Sequence, residues 1–310
     1  MKKGLLAATA SLVGAVLGLW LIAERGRLLS RSSRAGLRLL GLRNLVNLKG
    51  LHLYLYGRAT NQYMRVAIRH VIPRLRPLGR RWLADRYHAK VLTPELARAV
   101  ITIERDIPLR DLEQVIPYAT ARSIVLQGPL DIAVYECACR QARPNPCRPT
   151  QVCLVVGQPF VDFVLEHNPR SSRRIGQAEA LELLRAEHDR GHVHTAWFKD
   201  ACLGRFYAIC NCCQCCCVGM EAMRTYGVPL LASSGYVAGV DEGRCNGCGA
   251  CARACPFGAV SMNGALNSGA AIAWEACMGC GVCIERCPAG ALALVRDERK
   301  GLPLDVRELA

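Results

Sequence analysis

The sequence predicts an α+β protein made of an N-terminal transmembrane helix, a mixed α/β domain rich in cysteine, and a small C-terminal fold of short strands around two cysteine loops. Three observations lead there. Gly4 to Ala23 is an uncharged, mostly apolar run of 20 residues, the middle of the 310-residue chain mixes helix-like and strand-like stretches, and one spacing of four cysteines occurs twice, 32 residues apart. The expected boundaries are 1–23 for the anchor, 24–86 for a basic membrane-proximal segment, 87–234 for the cysteine-rich domain, 235–296 for the two-loop domain and 297–310 for a tail.

As a helix, the apolar run is long enough to cross about 30 Å of hydrocarbon. A secretory signal peptide usually has an apolar region of about 7–15 residues and a small-x-small cleavage site. Leu21-x-Ala23 is a poor site, and no twin-arginine pair precedes the run. A single-pass anchor retained in the cell membrane is therefore expected. Arg25, Arg27, Arg31, Arg34, Arg38 and Arg43 flank its far side, against Lys2 and Lys3 on the near side. By the positive-inside rule this leaves the body of the protein cytoplasmic.

Glu24 to Arg86 holds 14 Arg and one Lys against two acids, net +13, and with Lys2 and Lys3 this accounts for the whole formal charge of +15. From Tyr87 onward 23 basic residues face 23 acidic ones. The body is neutral and the basic block carries no recognisable nucleic-acid module, so nucleic acid is not an expected partner. Arg27, Arg31, Arg34 and Arg38 recur at intervals of 4, 3 and 4, one helical stripe beside leucines. That stripe suits a helix on anionic membrane lipid. Leu51 to Tyr56 alternates, and Tyr54, Tyr56, Tyr63 and Trp82 suit the headgroup level.

In the middle domain Thr93-Pro94 fits the N-cap and first position of a helix running toward Glu104. A second helix is expected over Ala119 to Gln127, stopped by Gly128-Pro129, and a third over Gln177 to Arg190, stopped by Gly191. Asp131 to Cys139 alternates as a strand, which would set Cys137 and Cys139 on one face.

Two cysteine groups fall in this domain. The first is Cys137-x-Cys139-Arg140 with Cys147 and Cys153 across the loop Arg143-Pro-Asn-Pro-Cys-Arg-Pro. Four thiols within seventeen residues, with Arg140 and Arg148 to balance an anionic core, suit a further cubane iron–sulfur cluster. Structural zinc and unligated thiols are the other readings of the same spacing. The second group is Cys210-Asn-Cys212-Cys213-Gln-Cys215-Cys216-Cys217. If helical, it puts Cys210, Cys213 and Cys217 on one stripe and Cys212 and Cys216 on another, so the six thiols cannot all face one cube. They then serve two sites or a non-cubane centre. Cys202 stands alone and reads as a small buried hydrophobe. His192-x-His194 has the spacing of a ligand pair and equally that of a plain strand.

The C-terminal runs are Cys245-x2-Cys248-x2-Cys251-x3-Cys255-Pro256 and Cys277-x2-Cys280-x2-Cys283-x3-Cys287-Pro288. A thiolate at every third residue lets a tight turn wrap three corners of a cube, and Gly247, Gly249, Gly279 and Gly281 let the loop curl. Zinc ribbons use two pairs with a long spacer instead. The chain here resembles the bacterial ferredoxins that carry two [4Fe–4S] clusters, over roughly Gly235 to Arg296. The resemblance implies the dicluster ferredoxin fold, with crossed ligation: Cys245, Cys248, Cys251 and Cys287 for one cluster, Cys277, Cys280, Cys283 and Cys255 for the other. Strand-like stretches lie before each run (Tyr236 to Val240, Ala271 to Trp274) and after each (Ala259 to Met262, Ala291 to Val295). Of nineteen cysteines these runs use eight. Cluster loading requires a reducing compartment, which sets aside a disulfide framework.

The whole chain also resembles a group of membrane-anchored bacterial iron–sulfur proteins sharing the C-x-C-R and C-N-C-C-x-C-C-C elements. That resemblance implies cluster binding and names no substrate. No dinucleotide fingerprint, P-loop, nucleophile elbow or C-x3-C-x2-C radical motif occurs. The expected function is electron transfer through two [4Fe–4S] clusters and one or two further iron–sulfur clusters upstream, between redox donor and acceptor proteins. Two other readings stay open. One is a reductase of the disulfide type, with its metal or thiol site at Cys137–Cys153 and Cys210–Cys217. The other is a redox sensor.

Overall fold

The structure, a computed structural model, describes Gly14, Gly18 and residues 30–40, 49–262 and 269–309. It is a mixed α/β fold, and it corrects the expected fold class. No helix among the described residues is long and apolar enough to cross a membrane. The anchor expected over 1–23 lies, apart from Gly14 and Gly18, outside the described residues.

The frame is a nine-stranded sheet. Seven strands run in the order β6 (Ser172–Ile175), β4 (Ile132–Glu136), β5 (Gln151–Val156), β8 (Arg205–Cys212), β7 (Val193–Lys199), β1 (Tyr87–Val91) and β9 (Leu231–Ala232). The hairpin of β2 (Ile107–Asp111) and β3 (Ser123–Leu126) joins through β3 to β8. Pairing is antiparallel except at β1–β9 and β3–β8. Side-chain alternation sorts the strands into two apolar faces. Ile132, Val134, Leu154, Ala196 and Ile209 face one core, packed under helices Pro94–Ile101 and Gln177–Asp189. Ala133, Tyr135, Val155, Trp197, Ala208 and Cys212 face the other, under helices Lys49–Arg58 and Phe160–His167.

Local chemistry accounts for most of these elements. Thr93 Oγ1 accepts the Leu96 N–H at 3.2 Å and Pro94 opens the helix, as the sequence implies. Gln177–Asp189 is helical and ends before Gly191, whose φ of +83° few other residues tolerate. The helix expected over Ala119 to Gln127 is instead a left-handed Ala121 followed by strand β3. The β-branched pair Ile124-Val125 is better used there, since Ile124 and Leu126 bury fully against the core.

The basic segment packs onto this frame through its polar and aromatic side chains. At and just before helix Arg31–Leu40, Ser30, Ser32 and Ser33 turn inward, Ser32 N–H donating to Glu166 Oε2 at 2.9 Å, while Arg31, Arg34 and Arg38 face out. Residues 51–56 lie in the helix Lys49–Arg58. Tyr54 and Tyr56 are buried, Tyr56 and Tyr207 hydroxyls meeting at 2.7 Å, whereas Trp82 is exposed.

The C-terminal lobe has its own two small sheets. β10 (Tyr236–Val240) pairs with β13 (Leu292–Arg296), and β11 (Val260–Met262) with β12 (Ala270–Ile272). The strands fall where the sequence puts them. The outer pair joins the start of the lobe to its end, which folds the two cysteine loops back to back. Beyond β13 the chain returns to the large domain, where Leu304 and Val306 bury in the first core.

Candidate metal centres

Each ferredoxin-type ligand set lines its own cavity. Cys245, Cys248, Cys251 and Cys287 surround one, and Cys255, Cys277, Cys280 and Cys283 the other. In each loop the cysteine before proline accepts a backbone amide on its sulfur: Ala259 N–H to Cys255 and Ala291 N–H to Cys287, both at 3.3 Å. Backbone hydrogen bonds from Gly247 and Ala270 lower the Cys245 pKa. Four thiols around one cavity, with amides directed at sulfur, fit a [4Fe–4S] cluster. Gly279 shows how tightly the loop is held. At φ +63° its missing Cβ leaves room for Ser234 Oγ and Tyr236 O, each of which would stand 2.3 Å from one.

The two sets differ in exposure. Cys248 is exposed, whereas Cys277, Cys280 and Cys283 are buried. Cys280, Met278 and Val282 share an apolar cluster with Val193, Trp197, Cys212 and Cys217 of the large domain. Ser234 pins the junction, its N–H donating to Met278 O at 3.1 Å and its hydroxyl to Gly279 O at 2.8 Å.

Ten of the eleven upstream cysteines separate into two groups, and the strand–turn–helix geometry of 205–226 decides the membership. Cys210 and Cys212 lie two apart on β8 and so share its face. Residues 213–216 form a turn closed by Cys217 N–H to Cys213 O at 3.1 Å, and Cys217 caps the helix Val218–Tyr226. The stripes of a helical run are thus not the grouping found. Cys137 follows β4 and Cys139 stands on the helical turn Ala138–Gln141, so they do not share a strand face, yet their thiols interact.

The first group is Cys137, Cys139, Cys153, Cys210, Cys212 and Cys217. Thiol-to-thiol interactions link 210 to 153, 153 to 137, 137 to 139, 139 to 217 and 217 to 212. These six, together with Cys202 and Cys213, line an apolar cavity of about 110 Å³ that Tyr56, Tyr87, Tyr135, Trp197 and Tyr207 also wall. Bonds from Cys139 and Cys153 hold the Cys137 thiol well below its ordinary pKa. The second group is Cys147, Cys213, Cys215 and Cys216. Cys202 lines the same cavity but no thiol-to-thiol bond joins it to either group; it is buried, and that burial pushes its thiol up to about 12.

Arg140 lies between the groups, fully buried. Its Nη2 donates to Glu187 Oε2 at 2.8 Å and to Asn211 O at 3.2 Å, and Nη1 to Pro149 O. Its Nε is buried with no hydrogen-bond partner, and its charge acts on Cys213 and Cys137. An anionic metal–thiolate centre would satisfy that orphaned donor, so the residues present fit one.

His192 and His194 join neither thiol group. His192 Nδ1 pairs with Glu187 Oε2 at 2.7 Å. Asn211 Nδ2 donates to Val152 O, which turns its carbonyl toward His194, so His194 Nδ1–H donates to Asn211 Oδ1 at 2.6 Å. Burial lowers the His194 pKa to about 4.

Two features have no motif behind them in the sequence. Lys199 is buried with Nζ 3.7 Å from the ring centre of Tyr56 and 4.4 Å from those of Tyr63 and Tyr87, and burial lowers its pKa to about 8. A crevice of about 780 Å³ between the large domain and the lobe is lined by Arg190, His192, Arg224, Arg253 and Arg286, with Cys213 and Cys215 on its wall and no carboxylate. Both gather residues from distant segments.

No curated protein and no solved structure matches the chain. Residues 244–291, which hold all eight cysteines of the two C-terminal runs, match the family model of the 4Fe-4S dicluster domain, and the C-terminal lobe is therefore a ferredoxin-type iron–sulfur domain.

Proposed function

We propose that this protein is an electron relay in which the lobe holds two [4Fe–4S] clusters with crossed ligation and passes electrons to or from a further metal–sulfur centre in the six-thiol cavity. The observation that carries the reading is the packing of Cys280 into one apolar cluster with Cys212 and Cys217. Cys280 of the buried set thus shares its apolar surroundings with two upstream thiols, which supports an inward route, and exposed Cys248 suits the other set to a redox partner protein at the surface. Bound clusters supply one-electron chemistry. The chain's own residues exclude water from the inner set, direct amides at its sulfurs and place Arg140 against the upstream negative charge.

The test is iron, sulfide and electron paramagnetic resonance on anaerobically purified full-length chain. The lobe should account for about eight irons and two interacting centres. Cys255→Ser should perturb the same centre as Cys283→Ser, and Cys287→Ser the same centre as Cys248→Ser. The double change Cys137→Ser and Cys153→Ser should remove a separate signal. A Cys255 variant that tracks Cys251, or no signal beyond the lobe's, would overturn the relay as drawn.

A second reading rests on the arginine-lined crevice. A site with five basic side chains and the exposed thiol of Cys215 suits turnover of an anionic substrate fed with electrons by the lobe.

A further inference from the structure

We infer that Cys147, Cys213, Cys215 and Cys216 bind one tetrahedral divalent ion, not an iron–sulfur cube. Their four sulfurs all lie within 4.8 Å of one another, with Cys147 to Cys213 at 3.3 Å, Cys215 to Cys216 at 3.5 Å and Cys216 to Cys147 at 3.8 Å. Four thiolates on one ion at a metal–sulfur distance of about 2.3 Å stand about 3.8 Å apart, the edge of the tetrahedron. A cube places each thiolate on a different iron and so holds them farther apart.

The same chain supplies the contrast. Neither ferredoxin-type set closes to this distance among the described residues. The sets that fit cubes are open, and this one converges on a point.

Local structure supports a small, rigid site. Cys213, Cys215 and Cys216 come from one turn, in which the Cys216 backbone N–H bonds to the Cys213 sulfur. Cys147 arrives on the loop carrying Pro144, Pro146 and Pro149. Four thiolates around a divalent ion leave two negative charges, and two arginines lie beside them, each also paired with a carboxylate, Arg140 with Glu187 and Arg143 with Glu221. Arg140 acts electrostatically on Cys147 and Cys213, and Arg143 donates to Cys216 O from Nε at 3.2 Å and from Nη2 at 3.1 Å. An all-thiolate tetrahedron selects zinc or iron. Either ion would staple the proline loop to the turn at the crevice wall, whether or not the six-thiol cavity holds a cluster.

The experiment is metal and acid-labile sulfide analysis of full-length chain against the double variant Cys213→Ser and Cys216→Ser, with the lobe's paramagnetic signals as the check on folding. The variant should lose about one metal ion per chain and no sulfide. Loss of zinc or loss of a single iron identifies the ion. Joint loss of about four irons and matching sulfide, or no loss at all, overturns the inference. Should the variant fail to fold, X-ray absorption on unaltered chain grown with cobalt answers the same question. Cobalt in a shell of four sulfurs with no neighbouring metal supports the single ion, and the absence of such cobalt refutes it.

Discussion

The lobe and the large domain collect thiols in opposite ways. In the lobe all eight come from two loops whose own curl sets the spacing, and strand pairing only turns the loops toward each other. In the large domain ten come from the helical turn after β4, a proline loop, β5, β8 and the turn after it, and the sheet decides which meet. Antiparallel register on β5 and β8 sets Leu154 opposite Ile209 and Val155 opposite Ala208, so Cys153 and Cys210 fall side by side. A ligand set made by a loop is encoded in spacing, whereas one made by a sheet is encoded in register, which spacing does not show.

The sharpest way to break this comparison is Arg140→Leu. It leaves Glu187 buried at 1% exposure without its main cation, at a cost of about 3 kcal/mol in chemical unfolding. Upstream metal should fall, while the two centres of the lobe persist. Equal loss from both regions would show that the lobe's sites depend on the sheet as well.

A smaller effect concerns His194. Its folded pKa of about 4 lies below the unfolded value near 6.5, so the unfolded chain takes up a proton first as pH falls between them. The stability held at neutral pH is then lost through that window, roughly 2 kcal/mol between pH 7 and 5. Urea midpoints of wild type should fall more steeply over this range than those of His194→Gln, whose amide does not titrate. Parallel slopes would remove His194 as the cause.

The smallest effect is expected at Cys202, buried but outside both thiol groups. Cys202→Ala should cost about 1 kcal/mol and leave metal and sulfide unchanged. A drop in either would add Cys202 to the ligands.

Legibility in the sequence follows the same division. The lobe's strands could be read because each flanks a loop of fixed spacing. The run Cys210–Cys217 showed that its thiols must divide, but helical period gave the wrong partners, because Cys210 and Cys212 end a strand and the chain turns immediately after. Ala119–Gln127 misled for a related reason: two apolar β-branched residues before Gly-Pro suit either a helix end or a strand, and only pairing with β2 and β8 decides. Glu187 looked like one acid among several on a helix. Its partnership with Arg140, 47 positions away, exists only once β4 and the helix Gln177–Asp189 pack.

The lobe is clasped at both ends. Its incoming chain is fixed by Ser234, fully buried, and its outgoing chain by Leu304 and Val306, while Arg307 closes onto Glu95 at 2.8 Å. The two passages run side by side, Asp297 N–H bonding to Gly235 O at 3.1 Å. A carrier on a single tether can swing between stations; one held by two adjacent hinges built into a core cannot. In the relay proposed above, the gap between its inner thiols and those of the sheet would be a fixed dimension, and the face that bears exposed Cys248 would be where a redox partner docks.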